Sequence, residues 1–210
     1  MNKTILLALF LMTGMSAMPQ STTPLPQPDK SVSTTLFTAL QNRHSIRNFT
    51  DRIINTATLS QLLWAATGVN RPDGHMTAPT AVNAQDISVY VATKDGASLY
   101  LPKEHALKLI TTKDIRNDVA GRQTGVANAP VFLIVVSDAS KFRNSGDGKM
   151  NPMCYLDGGY VSQNICLAAT ALGLGTVPRG TINQEPVRTA LQLNQSQIIV
   201  INHPVGYPKD

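Results

Sequence analysis

Cysteine is scarce, runs of like charge are missing, and no apolar stretch is long enough to span a bilayer. The two cysteines stand at positions 154 and 166 of 210 residues. If they share one helix, the twelve residues between them, at about 1.5 Å of rise each, separate them by roughly 18 Å, beyond disulfide reach. They are therefore read as unpaired thiols with packing roles. Only four histidines occur (44, 75, 105 and 203) and no ligand set clusters around the cysteines, so a metal centre is not expected. No Ser, His and Asp set is arranged for nucleophilic catalysis. The 18 Lys and Arg against 13 Asp and Glu give a net charge of +5. They are scattered, without a basic run or interleaved aromatics, which reads as a solvated basic surface rather than a nucleic-acid face.

What is present begins with a processing signal. Lys3 precedes an apolar run from Ile5 to Met12, and small residues follow at Gly14, Ser16 and Ala17, the layout of a secretory signal peptide. The run falls short of the about 20 residues a membrane helix needs, so export to the periplasm or medium is expected rather than a membrane anchor. There is no cysteine near the cleavage point for a lipid and no Arg pair for twin-arginine export. Residues 1–17 are assigned to the signal. Residues 18–33, rich in Pro, Ser, Thr and Gln, are expected to form a flexible leader, and residues 34–210 one domain.

Within that domain, Leu36, Phe37 and Leu40 predict a short amphipathic helix. Leu59, Leu62, Leu63 and Ala66 predict a second, capped near Thr56 or Thr58 and stopped by Gly68. Alternation over Ile87, Val89 and Val91, with a turn at Asp95-Gly96 before Leu99 and Leu101, predicts a β-hairpin. His105 to Ile110 and Lys113 to Ala120 read as short helices. Pro130 to Val136 is a continuous apolar run of strand length, expected to be buried on both faces. After a polar loop from Ser140 to Asn151, a long helix runs from Tyr155 to Leu172, its small residues suited to close packing and to a subunit interface. A helix from about Glu185 to Leu191 and a strand from Ile198 to Ile201 end the chain. Helices and strands alternate without a βαβ rhythm, which predicts an α+β fold with a central, mostly antiparallel sheet flanked by helices.

Three segments carry chemistry. Arg43-His44-Ser45-Ile46-Arg47 puts four side chains able to donate hydrogen bonds to an anion at a helix end, although a helix end complementing its own dipole has the same composition. For Arg47 the competing partner is Asp51, four residues along. Ala78-Pro79-Thr80-Ala81-Val82-Asn83-Ala84-Gln85 sets two side-chain amides behind a Pro-fixed turn, where they can edge a flat heterocycle or simply form a turn. The stretch from Ala171 to Gly180 has glycines at 173, 175 and 180, not the G-x-G-x-x-G spacing of a dinucleotide site; they read as a helix end that admits a close ligand.

In this order, with Leu62-Leu63-Trp64-Ala65-Ala66, Gly68-Val69-Asn70-Arg71 and the Pro204-Val205-Gly206-Tyr207-Pro208 terminus, the segments resemble the nitroreductase family of flavoproteins from about Leu36 to Pro208. The resemblance implies a homodimer with FMN at the subunit interface. Arg43, His44 and Ser45 would meet the phosphate, with Lys209 adding a contact, and Arg47 would lie beside flavin N1 and O2. Pro79, Thr80, Ala81, Asn83 and Gln85 would come from the partner subunit. Val177, Pro178, Arg179, Gly180 and Thr181 would cross the other ring face. Arg179 stands where these enzymes are often apolar, and is read either as shaping the substrate mouth or as facing solvent. The implied activity is transfer of hydride equivalents through FMN to a small electron-poor acceptor, a nitroaromatic or quinone, with NAD(P)H as one donor. An azoline-oxidising dehydrogenase and a non-catalytic FMN-binding protein are the alternatives.

Overall fold

The computed structural model describes residues 21–142 and 151–209. The signal assignment to residues 1–17 and most of the polar loop before the long helix lie outside them. Seven strands, β1 (Thr22–Pro24), β2 (Ile87–Thr93), β3 (Gly96–Leu101), β4 (Ala106–Thr111), β5 (Val131–Asp138), β6 (Gly175–Thr176) and β7 (Gln197–Gly206), form one antiparallel sheet in the order β1-β4-β3-β2-β5-β7-β6. The helices are α1 (Leu36–Asn42), α2 (Thr56–Thr67), α3 (Arg116–Ala120), α4 (Met153–Ala171) and α5 (Gln184–Ala190).

The apolar run from Val131 to Val136 explains the layering. As β5 it sits between β2 and β7, and because alternate side chains leave a strand on opposite faces, it feeds two cores. Val131, Leu133 and Val135 pack with Leu62 and Leu63 of α2 and Val161 and Ile165 of α4. Phe132, Ile134 and Val136 pack with Val119 of α3 and Val187 of α5. Both faces of the strand are covered, so the α+β expectation holds. The hairpin also forms as expected: Gly96 takes φ 129°, and a Cβ there would lie 2.1 Å from the Thr111 carbonyl oxygen.

Two expectations are corrected. The stretch from His105 to Ile110 is not a helix: Ala106–Thr111 is β4, paired with β3. Leu107 packs on one core and Ile110 on the other. On a helix, residues three apart share a face, but a sheet separates them, and sheet burial decided the conformation. The leader expected to be flexible is tied down between residues 22 and 26. β1 pairs with the open edge of β4, Leu25 is buried, and the Pro26 carbonyl accepts hydrogen bonds from the Ser60 hydroxyl and the His105 ring. Strand pairing uses backbone groups, so the lack of large apolar side chains did not prevent it.

The first two helices form where expected. The cap of α2 is Asn55, whose side chain accepts from the Thr58 N–H, rather than Thr56 or Thr58. Helix α1 turns only Ala39 inward; Leu36, Leu40 and Phe37, the last 81% exposed, face outward. In α4 the small residues divide. Gly158 lies against β7, where a Cβ would come 2.6 Å from Val200, whereas Gly159 meets nothing. Cys154 and Cys166 are buried on α4 and unpaired.

Candidate active site

The segment after α1 runs as an extended strip between two parts of the chain distant in sequence. Ser45 bridges Thr176 of β6, and the Ile46 N–H donates to the Thr176 carbonyl at 3.0 Å. Gly175 permits this approach, because a Cβ there would lie 2.7 Å from the Ile46 side chain. Further on, Phe49 bridges Pro208, the Thr50 N–H donates to Tyr207 at 2.9 Å and the Lys209 N–H donates to Asn48 at 3.1 Å. Backbone pairing thus gathers the strip from Arg43 to Arg47, the segment from Thr176 onward and the C-terminal Lys209.

Beside this strip is a cleft of about 530 Å³ lined by Arg47, Asn48, Gln123, Gly125, Val126, Val177, Pro178, Arg179, Gly180 and Thr181, within the usual range for small-molecule sites. His44, Ser45 and Arg47 are exposed and Arg43 is half-buried; the His44 ring also contacts the Asn42 carbonyl at 2.8 Å. Arg43, Arg47 and Lys209 pair with no carboxylate among the described residues, and the Arg47–Asp51 ion pair does not form. Sequence reasoning did not find Asn48, Gln123, Gly125 or Val126; no motif marks them, and only folding brings the turn after α3 to this wall.

Arg179 follows neither expectation. It is 5% exposed, with Nε donating to Gln123 Oε1 at 2.7 Å, Nη1 to Asn202 Oδ1 at 3.0 Å and Nη2 to the Ala120 carbonyl at 2.6 Å. It borders the cleft, but its guanidinium binds the α3 end to β7, and burial lowers its pKa. Its side chain acts as a structural cross-link within the wall of the cleft. His203, behind the same wall, is fully buried between Ser162 and Thr176 hydroxyls at 2.9 and 3.4 Å. Burial disfavours its charged form and pushes its pKa down to about 3.

The second predicted segment stands apart within one chain. Ala81, Val82, Asn83 and Ala84 line a different cleft, of about 790 Å³, with Phe142 and Met153. The Ala81 N–H donates to Asp157 Oδ2 at 2.8 Å. The Gln85 N–H reaches Thr80 Oγ1 at 2.9 Å, and its side-chain amide donates to the Gly74 carbonyl at 3.2 Å. Pro79 and Asn83 are exposed and Thr80 is half-buried. One chain therefore joins the first and third segments and leaves the second outside.

The nitroreductase family model matches residues 40–207, from within α1 to the tyrosine that pairs with Thr50. The chain belongs to the nitroreductase family. A nitroreductase homologue from Methanocaldococcus jannaschii is 28% identical over 176 residues, 80% of this chain and 88% of the relative. The FMN reductase [NAD(P)H] of Bacillus subtilis is 27% identical over 186 residues, 82% of this chain and 65% of the relative. Among solved structures, a nitroreductase homologue of Ralstonia eutropha JMP134 superposes with a TM-score of 0.80 at 29% identity, covering 90% of each chain. This nitroreductase-family chain is thus a flavin-dependent oxidoreductase, and the cleft beside the Arg43–Arg47 strip lies inside the matched region.

Proposed function

We propose that this protein is an exported, FMN-dependent homodimeric oxidoreductase that passes hydride equivalents to a small electron-poor acceptor of the nitroaromatic or quinone type. The observation that carries the reading is that Arg43, Arg47 and Lys209, three cations without carboxylate partners among the described residues, lie on backbone-paired segments beside a cleft that Arg47 and residues 177–181 line. These residues fit FMN. Arg43, Ser45 and Lys209 suit a phosphate through charge-assisted hydrogen bonds. At Gly180 an added Cβ would meet nothing within 4 Å, so the backbone there is open to a flat ring.

Bound FMN supplies the two-electron chemistry. The chain's own task is to hold it, exclude water and place positive charge where negative charge develops. Arg47 suits that last role, because a fixed guanidinium stabilises developing anionic charge without reorganising. A second subunit is supported by the uncovered apolar face of α1 (Leu36, Phe37, Leu40), by exposed Tyr155, Leu156 and Tyr160 on α4, and by the separation of the Pro79–Gln85 loop from the cleft of its own chain. Exposed apolar groups clustered on neighbouring helices mark association surfaces. Export rests on the N-terminal segment alone. NAD(P)H is the donor to assay first, and export would place the enzyme where nicotinamides are scarce.

The test is direct. Protein purified from its native compartment and saturated with FMN should show a flavin spectrum, bleach with NAD(P)H and recolour with a quinone. Protein that retains no flavin after reconstitution removes the reading, and a flavin-loaded monomer by light scattering removes the shared site.

A further inference from the structure

Beneath the Thr80–Gln85 loop lie two buried carboxyl groups, Asp86 at the entry to β2 and Asp157 on α4, 2% and 0% exposed. Asp157 Oδ2 accepts the Ala81 N–H at 2.8 Å, and Asp86 Oδ2 accepts the Ser137 hydroxyl. The remaining oxygen of each, Oδ1, is buried without a donor, and Asp157 lies near enough to Asp86 to help raise its carboxyl pKa. Two ionised carboxylates cannot hydrogen-bond, whereas one proton between them provides the missing donor and removes the like-charge repulsion. The groups facing the pair are Ser137 from β5 and the Cys154 thiol from α4, which burial and the two aspartates push up. No cation ion-pairs with either aspartate among the described residues. Burial, reinforced by Asp157, raises the Asp86 carboxyl to about 6.

The loop above the pair is strained. Val82, Asn83 and Gln85 take φ of 49°, 53° and 48°, a region costly for non-glycine residues and most of all for a β-branched one. Val82 is 89% exposed, so no packing of its own offsets the cost. The Ala81–Asp157 bond and the Gln85–Thr80 bond hold the loop from below.

We propose that Asp86 and Asp157 form a carboxylic acid–carboxylate pair around one shared proton, and that this pair positions the Thr80–Gln85 loop for its contact with the cofactor. The proposal rests on the reading above that the loop lines the flavin across the dimer interface. Neither aspartate touches the cleft of its own chain; both act through the Ala81 N–H. Loss of the shared proton leaves two buried like charges, which separate and release Ala81. Flavin retention therefore weakens as pH rises, through a group outside the cleft.

The test compares the full-length wild-type chain with Asp86→Asn and Asp157→Ala at pH 5.5 and 8.0. Two quantities are measured: hydrogen-exchange protection of a peptide spanning residues 79–85 without flavin, corrected for intrinsic rates, and the Kd for added FMN. Wild type should lose loop protection by about 10-fold from the lower to the higher pH, the scale of one buried hydrogen bond. Asp86→Asn, whose amide donates permanently, should keep the same protection at both. Asp157→Ala should lose protection at both and bind FMN about 10-fold more weakly. If Asp157→Ala fails to fold, Asp157→Asn, which keeps an acceptor for Ala81 and donates to Asp86, should show high protection at both pH values. An Asp86→Asn variant that follows the wild-type pH dependence overturns the shared proton. Loosening of the loop with an unchanged FMN Kd overturns the positioning role. If wild type binds no FMN, the cofactor reading fails, and Asp86→Asn exchange still decides whether the proton is shared.

Discussion

Arg47 and Arg179 border the same cleft and have opposite fates. Arg179 lies behind the wall with its guanidinium on Gln123, Asn202 and Ala120, and His203 is held nearby by two hydroxyls. Arg47 stands in front, exposed and without a carboxylate among the described residues, as are Ser45 and, half-buried, Arg43. Buried polar groups must be satisfied by the protein itself, so those behind the wall hold the fold. Those in front keep hydrogen-bonding capacity for a ligand. Exposure and partner count, rather than residue type, separate the two sets.

The sharpest test of that division is acid. His203 has its pKa lowered from 6.5 to about 3, so the unfolded chain takes the proton more readily. Its contribution to stability is complete above pH 6.5 and is lost as pH falls toward 3, on the order of 4–5 kcal/mol in all. Asp86, raised from 3.8 to about 6, acts in the opposite sense, because its contribution is present below pH 3.8 and is lost as pH rises through 6. Denaturant titrations across pH 4 to 7 should show a flatter acid slope for His203→Gln than for wild type; identical slopes would mean that His203 is not buried as a neutral ring.

Arg179→Ala comes next, leaving the Asn202 and Ala120 acceptors unpaired in the interior. A loss of about 3 kcal/mol is expected, seen as a fall in Tm of about 6–12 °C for a chain of this size. A variant within 2 °C of wild type that instead bound flavin poorly would return Arg179 to the front of the wall.

In front, Arg43→Ala should barely change Tm but weaken FMN by about 10-fold or more, since hydrogen bonds to charged groups are worth about 1.5–3 kcal/mol. Unchanged flavin content would take the phosphate away from Arg43. The smallest effect is expected for Arg47→Met, with flavin retained and the two-electron midpoint potential lower by about 30 mV, equivalent to about 1.4 kcal/mol. A shift below about 10 mV with full flavin stoichiometry would place Arg47 away from the developing charge.

Legibility in the sequence followed the locality of each constraint. The β5 run and the Asp95-Gly96 hairpin were readable because burial on both faces leaves an unbroken apolar stretch, and a tight turn requires Gly96 at φ 129°. Strand β4 and the pairing of β1 were not, because a strand's partner lies elsewhere in the chain. The first and third site segments were readable as motifs, and β6 brings them together by pairing Thr176 with the 45–46 backbone. Asn48 and Gln123 carry no pattern that announces a cleft.

The order and spacing of its motifs therefore determined this protein's family, and with it the α+β class and the flavin chemistry, because family motifs are local strings tied to one backbone. Only the tertiary structure decided that Arg179 faces inward, that α1 turns Phe37 outward, that the Thr80–Gln85 loop lies outside its own cleft, and that Asp86 and Asp157 are both buried. Each of these depends on which groups, far apart along the chain, must satisfy one another's hydrogen bonds or cover one another's apolar surface once water is excluded.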